Sequence, residues 1–274
     1  MKYQANKLYS GQEDGKILIF NMNSSKPKHH LYLEDNNKKN INKMNSMKNP
    51  TNNNKILMMK DSGIINDNTK KQNVGENHLR ESVSCLLILN KLRLLCSSYH
   101  NGKIILWDIA TRLPKKIIEE QKTSIYQLVF DPHKNYLYTC GFDHNIYVYD
   151  PYNEESSIYQ LKGHNSSVKS ISLNLDNNEL ISIDINGNLK IWDTTVFLNF
   201  QTLNIYNSLL SEQNQPKRQG EQVINKNKGM SNINVLYLPN LKKIIVYGDK
   251  FLMYEKGKSK NPYLCDDNLI LSCI

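Results

Sequence analysis

Residues 162–193 read KGHNSSVKSISLNLDNNELISIDINGNLKIWD. Val168-Lys169-Ser170-Ile171-Ser172-Leu173 alternates apolar and polar side chains, and Asp176-Asn177-Asn178 then marks a turn. The run Leu180-Ile181-Ser182 follows, then the pair Asn186-Gly187, then Leu189-Lys190-Ile191-Trp192-Asp193. Asn-Gly between two apolar runs is the chemistry of a tight hairpin, because both residues tolerate positive φ. The stretch therefore predicts three antiparallel strands, the last ending at an aromatic residue.

The same pattern recurs along the chain. Ile17-Leu18-Ile19-Phe20-Asn21, Ile104-Ile105-Leu106-Trp107-Asp108 and Ile146-Tyr147-Val148-Tyr149-Asp150 match the final strand, with a looser copy at Phe251-Leu252-Met253-Tyr254-Glu255. The register holds upstream. Ser10, Ser97, Thr139 and Ser182 stand ten residues before the aromatic, and Asp14, Asn101, Asp143 and Asn186 stand six before it. Strands before each hairpin are read at Val83–Leu89, Ile125–Phe130, Val168–Leu173 and Ile233–Leu238, and weaker polar strands after the aromatic at 115–118 and 157–161. The aromatics lie 42 residues apart from Trp107 to Tyr149 and 43 from Tyr149 to Trp192, a spacing that fits one four-stranded propeller blade.

Two longer gaps contain inserts. Residues 34–80 and 204–230 are rich in Asn and Lys, and 36–54 hold nine Asn in nineteen positions. Such composition buries too little apolar surface to offset the entropy of ordering, so both inserts are expected as disordered loops within one region spanning 1–274.

Lys162-Gly163-His164, Val168, Leu180-Ile181-Ser182, Asn186-Gly187 and Ile191-Trp192-Asp193 together resemble a blade of the WD-repeat β-propeller family. The resemblance covers 1–33, 81–203 and 231–274 and is strongest at Trp107 and Trp192. It implies an all-β propeller of about five blades. It also implies a structural tetrad of His, Ser/Thr, Asp and Trp within a blade, carried over as His164, Ser182, Asn186 and Trp192. The partial sets are Ser97, Asn101 and Trp107 in one blade and Thr139, Asp143 and Tyr149 in another; no blade holds every member on this reading. A long insert, a degenerate final copy and Asn261-Pro262-Tyr263-Leu264-Cys265-Asp266-Asp267 are also similar to large WD-repeat proteins of cilia and flagella, some of which carry EF-hands. No calcium loop of the D-x-D-x-D-G type accompanies them.

Two closures compete. The chain is read as starting inside a blade, with no strand before residues 8–20, and as ending in a lone first strand at 268–274. Those pieces either complete a five-bladed ring or belong to an incomplete arc of a larger propeller, and the weak last copy favours the arc.

Composition narrows the function. The formal charge is +9, but +6 of it falls in the two inserts, leaving no basic groove on the repeats and arguing against nucleic acid. Five Cys without a C-x-x-C pair give neither a disulfide framework nor a zinc ribbon, and no apolar run reaches membrane-spanning length. A reducing, cytoplasmic setting follows, with a cilium or the cytoskeleton as the ciliary resemblance implies. There is no G-x-S-x-G elbow, P-loop or dinucleotide-binding glycine signature, so no enzyme, cofactor or metal is expected. Cys85 and Cys96 read as small buried hydrophobes on neighbouring strands.

Surface remains. Tyr99, His100, Phe142 and Ile185 fall beside the hairpin turns, and an apolar cluster there reads as a site for protein or peptide partners. The expected function is a non-catalytic interaction scaffold within a larger assembly. The alternative is a binder of an acidic surface, nucleic acid or a cytoskeletal filament, through the Lys-rich inserts.

Overall fold

The computed structural model describes residues 2–4, 7–21, 23, 26–31, 82–152, 156–205, 232–248, 252–255 and 263–264. The insert at 34–80, the insert at 204–230 beyond residue 205, and the strand expected at 268–274 lie outside these residues.

The described chain forms five four-stranded antiparallel sheets, each a simple meander. Blade 1 holds β1 (Lys2–Gln4), β2 (Lys7–Gly11), β3 (Ile17–Asn21) and β4 (Pro27–Leu31). Blade 2 holds β5 (Val83–Leu89), β6 (Leu94–Tyr99), β7 (Ile104–Asp108) and β8 (Pro114–Ile118). Blade 3 holds β9 (Ile125–Asp131), β10 (Tyr136–Gly141), β11 (Ile146–Tyr149) and β12 (Tyr159–Leu161). Blade 4 holds β13 (Val168–Asn174), β14 (Glu179–Asp184), β15 (Asn188–Asp193) and β16 (Leu198–Asn204). Blade 5 holds β17 (Ile233–Leu238), β18 (Lys243–Gly248), β19 (Leu252–Glu255) and β20 (Tyr263–Leu264).

Two expectations change here. The chain does not start inside a blade, because β1 pairs with β2 in the register Lys2↔Tyr9 and gives blade 1 its first strand. The short, polar Lys2-Tyr3-Gln4 lacks the apolar alternation by which its counterparts are recognised. Blade 4 also reaches past the boundary set at 204: Asn204 pairs with Asn188, and Ile205 beyond it is fully buried.

First strands stack side by side, β1 on β5, β5 on β9, β9 on β13 and β13 on β17. The five sheets form an open arc; among the described residues, blade 1 does not pack on blade 5 as neighbouring blades pack on one another. Adjacent side chains on a strand point to opposite faces, and here both faces are covered. Leu95 and Trp107 of blade 2 therefore join Tyr9, Ile17 and Ile19 of blade 1 in one apolar slab. Leu94, Cys96 and Leu106 join Leu128, Leu137 and Tyr149 of blade 3 in the next. Such double burial explains why the second and third strands read as near-continuous apolar runs.

The terminal aromatics all turn the same way. Trp107 packs toward blade 1, Tyr149 toward blade 2, Trp192 toward blade 3 and Tyr254 toward blade 4. A register shift between third and fourth strands recurs at Ile19/Phe20, Leu106/Trp107 and Ile191/Trp192, so the bulge repeats with the ring.

Candidate functional site

Ser182 lies on β14 and Trp192 on β15, while His164 lies in the loop leading to β13. Trp192 Nε1 donates to Ser182 Oγ at 2.8 Å, and Ser182 Oγ lies 2.7 Å from His164 Nε2. His164 Nδ1 lies 3.1 Å from a carboxylate oxygen, which belongs to Asp184. Asn186, the residue expected there, is exposed and donates only its backbone N–H, to Asp184. Side-chain alternation explains the correction. Ser182 and Asp184 are two apart on one strand and share a face, whereas Asn186 has already entered the turn. Blade 4 thus holds all four groups, with an aspartate and not an amide as the acid.

Asp184 also organises the hairpin, accepting from the backbone N–H groups of Asn186 at 3.0 Å and Asn188 at 2.9 Å. Burial pushes its carboxyl up, but hydrogen bonds from His164 and Asn188 overcome this and hold it below the usual aspartate range.

Ser182, His164 and Asp184 have the composition of a hydrolase triad. Their surroundings deny it that chemistry. Ser182 Oγ is completely buried and already accepts the indole N–H, and the His164 and Asp184 side chains are 0% exposed. No substrate carbonyl can reach the hydroxyl, so the network braces the blade.

Blade 3 builds the same brace from other residues. Gln121 Nε2 donates to Thr139 Oγ1 at 2.5 Å and to Tyr149 Oη at 3.1 Å. Gln121 precedes Thr139 by 18 residues, as His164 precedes Ser182, so Gln121 occupies the histidine's place. That offset was a signal in the sequence, but a search for histidine alone passes over it. Asp143 is a turn residue, accepting from Asn145 N and from the Tyr147 hydroxyl. In blade 2 Trp107 Nε1 donates to Ser97 Oγ at 2.8 Å, while Asn101 Oδ1 accepts from Lys103 N at 3.0 Å in the turn.

The four partner-site candidates separate. Tyr99 is 5% exposed and its hydroxyl lies 3.3 Å from Ser97 Oγ. It stands two residues after Ser97, where Asp184 stands after Ser182, so the strand turns it into the core and removes it from any docking surface. Ile185 is half-buried. His100 is exposed, with Nδ1 2.6 Å from Ser124 Oγ across the blade boundary. Phe142 is 59% exposed.

The exposed ring of Phe142 sits on a fixed backbone. Its N–H donates to Ser124 O at 2.8 Å, and its carbonyl accepts from Ser167 Oγ at 3.0 Å. His100 N to Ser82 O and Ile185 N to Ser167 O repeat the first of these bonds, so the hairpin turns and the entries to the first strands gather at one end of the arc.

Small-molecule chemistry finds little purchase among the described residues. An open, largely polar depression of about 240 Å³ is lined by Asn101, Lys103, Glu119, Gln121 and Lys122. Among the described residues no group of three or more His, Cys, Asp or Glu comes together to hold a metal ion. Burial pushes the Cys96 and Cys140 thiols well up, away from thiolate chemistry. Cys85 stands opposite Ser98 and Cys96 opposite Leu87. No described helix is long and apolar enough to cross a membrane.

Comparison with known proteins agrees with this geometry. The family model for the WD domain, G-beta repeat, matches residues 113–150 and 155–193. The chain is 26% identical over 205 residues to cilia- and flagella-associated protein 337 B of Tetrahymena thermophila, covering 75% of this chain and 15% of that protein. It is 27% identical over 139 residues to WD repeat and FYVE domain-containing protein 2 of Caenorhabditis briggsae, covering 50% of this chain and 33% of that one. The chain therefore spans a third or less of these relatives. A chain in the crystal structure of the mitotic checkpoint complex superposes with a TM-score of 0.61 at 11% identity, covering 95% of this chain and 60% of that chain.

Proposed function

This chain belongs to the WD-repeat family, and from that premise we propose that it is a non-catalytic platform for protein or peptide partners, engaged at the hairpin-turn end of the arc. WD-repeat propellers serve in general as interaction scaffolds. The observation that carries the reading here is Phe142: a ring 59% exposed on a backbone hydrogen-bonded at both its N–H and its carbonyl. An aromatic held rigidly in water gains nothing for the fold and loses little freedom on being covered, which makes it a strong interface anchor. The likeness to a protein named for cilia and flagella supports a ciliary or cytoskeletal assembly as the setting.

The test compares the proteins retained by wild type and by Phe142→Ala from extracts of the cell that makes the chain. Loss of one defined set of partners with an unchanged melting curve supports the platform. Identical sets from both proteins refute Phe142 as the anchor.

A further inference from the structure

The opposite end of the arc carries a charge pattern that the composition conceals. There the turns between first and second strands meet those between third and fourth: Ile109 N donates to Arg93 O at 3.3 Å, and Lys91 Nζ reaches Pro132 O of the next blade at 2.8 Å. Over blades 1 and 2 this end presents Lys26, Lys28, Lys91, Arg93, Arg112 and Lys115, all exposed. Asp108 is the carboxylate these two blades' described residues place among them, and its Oδ1 accepts from Ala110 N and Thr111 N at 2.8 Å each. The acid is thus held by its own turn. Among the described residues, none of Lys91, Arg93, Arg112 and Lys115 stands in an ion pair. Beyond blade 2 the same end mixes signs, with Asp150, Asp176 and Asp193 set among Lys134 and Lys242, so the run of cations with Asp108 alone among them is confined to the described residues of blades 1 and 2.

Two features choose the partner. Arg93 and Arg112 sit at φ 54° and 63°, fixed by turn hydrogen bonds to Asn90 O and Asp108 O, so their backbones are preorganised. Beside them Leu113 is 65% exposed, and Tyr152 of blade 3, 51% exposed, holds its ring centroid 6.0 Å from Lys115 Nζ. A phosphate backbone has no use for Leu113, and the ring beside these cations, Tyr152, is already met by Lys115. Sheets pack about 10 Å apart, so two blades match about six residues of extended chain at about 3.3 Å each. We propose that the basic end of blades 1 and 2 docks an extended acidic peptide segment that carries an apolar side chain among its carboxylates.

The probe is a fluorescein-labelled peptide of about twelve residues, mostly Glu and Asp with Leu and Phe between them, followed by anisotropy at low and high salt. Binding should weaken with salt, fall at least about tenfold in Arg93→Glu/Arg112→Glu, and fall several-fold in Leu113→Ala. Lys28→Glu/Lys115→Glu repeats the charge reversal away from the positive-φ positions, and melting curves of both variants confirm folding. Phe142→Ala should leave this binding unchanged, which separates the surface from the one at the hairpin-turn end. Failure of the wild type to bind the peptide, indifference of a folded reversal variant, or tighter binding of a single-stranded oligonucleotide of equal charge each overturns the proposal.

Discussion

Replacing Asp184 by Asn keeps the side chain's shape and removes its charge. The carboxylate receives His164 Nδ1 at 3.1 Å, Asn186 N at 3.0 Å, Asn188 N at 2.9 Å and Asn188 Nδ2 at 3.0 Å. An amide offers one acceptor oxygen, and its NH₂ must face either the imidazole N–H or the Asn188 donors. A hydrogen bond to a charged acceptor is worth about 1.5–3 kcal/mol, and a buried donor left unmatched costs about 1–3 kcal/mol. Part of the set survives on the amide oxygen, so the net loss should be about 2–4 kcal/mol. Asn186→Ala, which keeps the backbone donor, should stay within about 0.5 kcal/mol of wild type. Urea unfolding followed by fluorescence of Trp107 and Trp192, the two tryptophans, measures both. The folded-state pKa of Asp184 is depressed, so its contribution is complete above the unfolded value of about 3.9 and is lost as pH falls through the folded value. The gap between wild type and Asp184→Asn should therefore be widest near neutrality and narrow below about pH 4. An Asp184→Asn variant as stable as wild type, or an Asn186→Ala variant more damaged than it, refutes the assignment.

Tyr99→Ala should cost about 3–5 kcal/mol in the same urea assay, because it empties a buried aromatic site, whereas Phe142→Ala should shift stability by less than about 0.5 kcal/mol. Gln121→Leu leaves Thr139 Oγ1 and Tyr149 Oη without their shared donor and should cost about 1–3 kcal/mol, read as a lower urea midpoint. Gly102→Ala forces a side chain onto φ +88°, where its Cβ would meet Gln121 O at 2.3 Å. Differential scanning calorimetry should show it destabilised by more than about 2 kcal/mol, and a melt like wild type would contradict the close approach of blades 2 and 3.

The sequence by itself determined the blades. A hydroxyl, a turn pair and an aromatic at fixed offsets are local features, and a hairpin writes them into a few consecutive residues. Val83–Leu89 and Ile233–Leu238 were legible to the residue as first strands, whereas β1, with no apolar pattern of its own, is specified by its pairing with β2. Only the tertiary structure decided which side chains the faces cover. Alternation puts Tyr99 and Asp184 on the same strand face as Ser97 and Ser182, but that this face meets the preceding blade is a long-range fact. The same holds for Gln121, whose partners Thr139 and Tyr149 lie 18 and 28 residues away. It holds for the charges too: the basic turns of blades 1 and 2 are separated in sequence by the 34–80 insert, and stacking of the first strands brings them to one end. Local periodicity fixes what a strand is, and packing between strands far apart in the chain fixes what each of its faces is for.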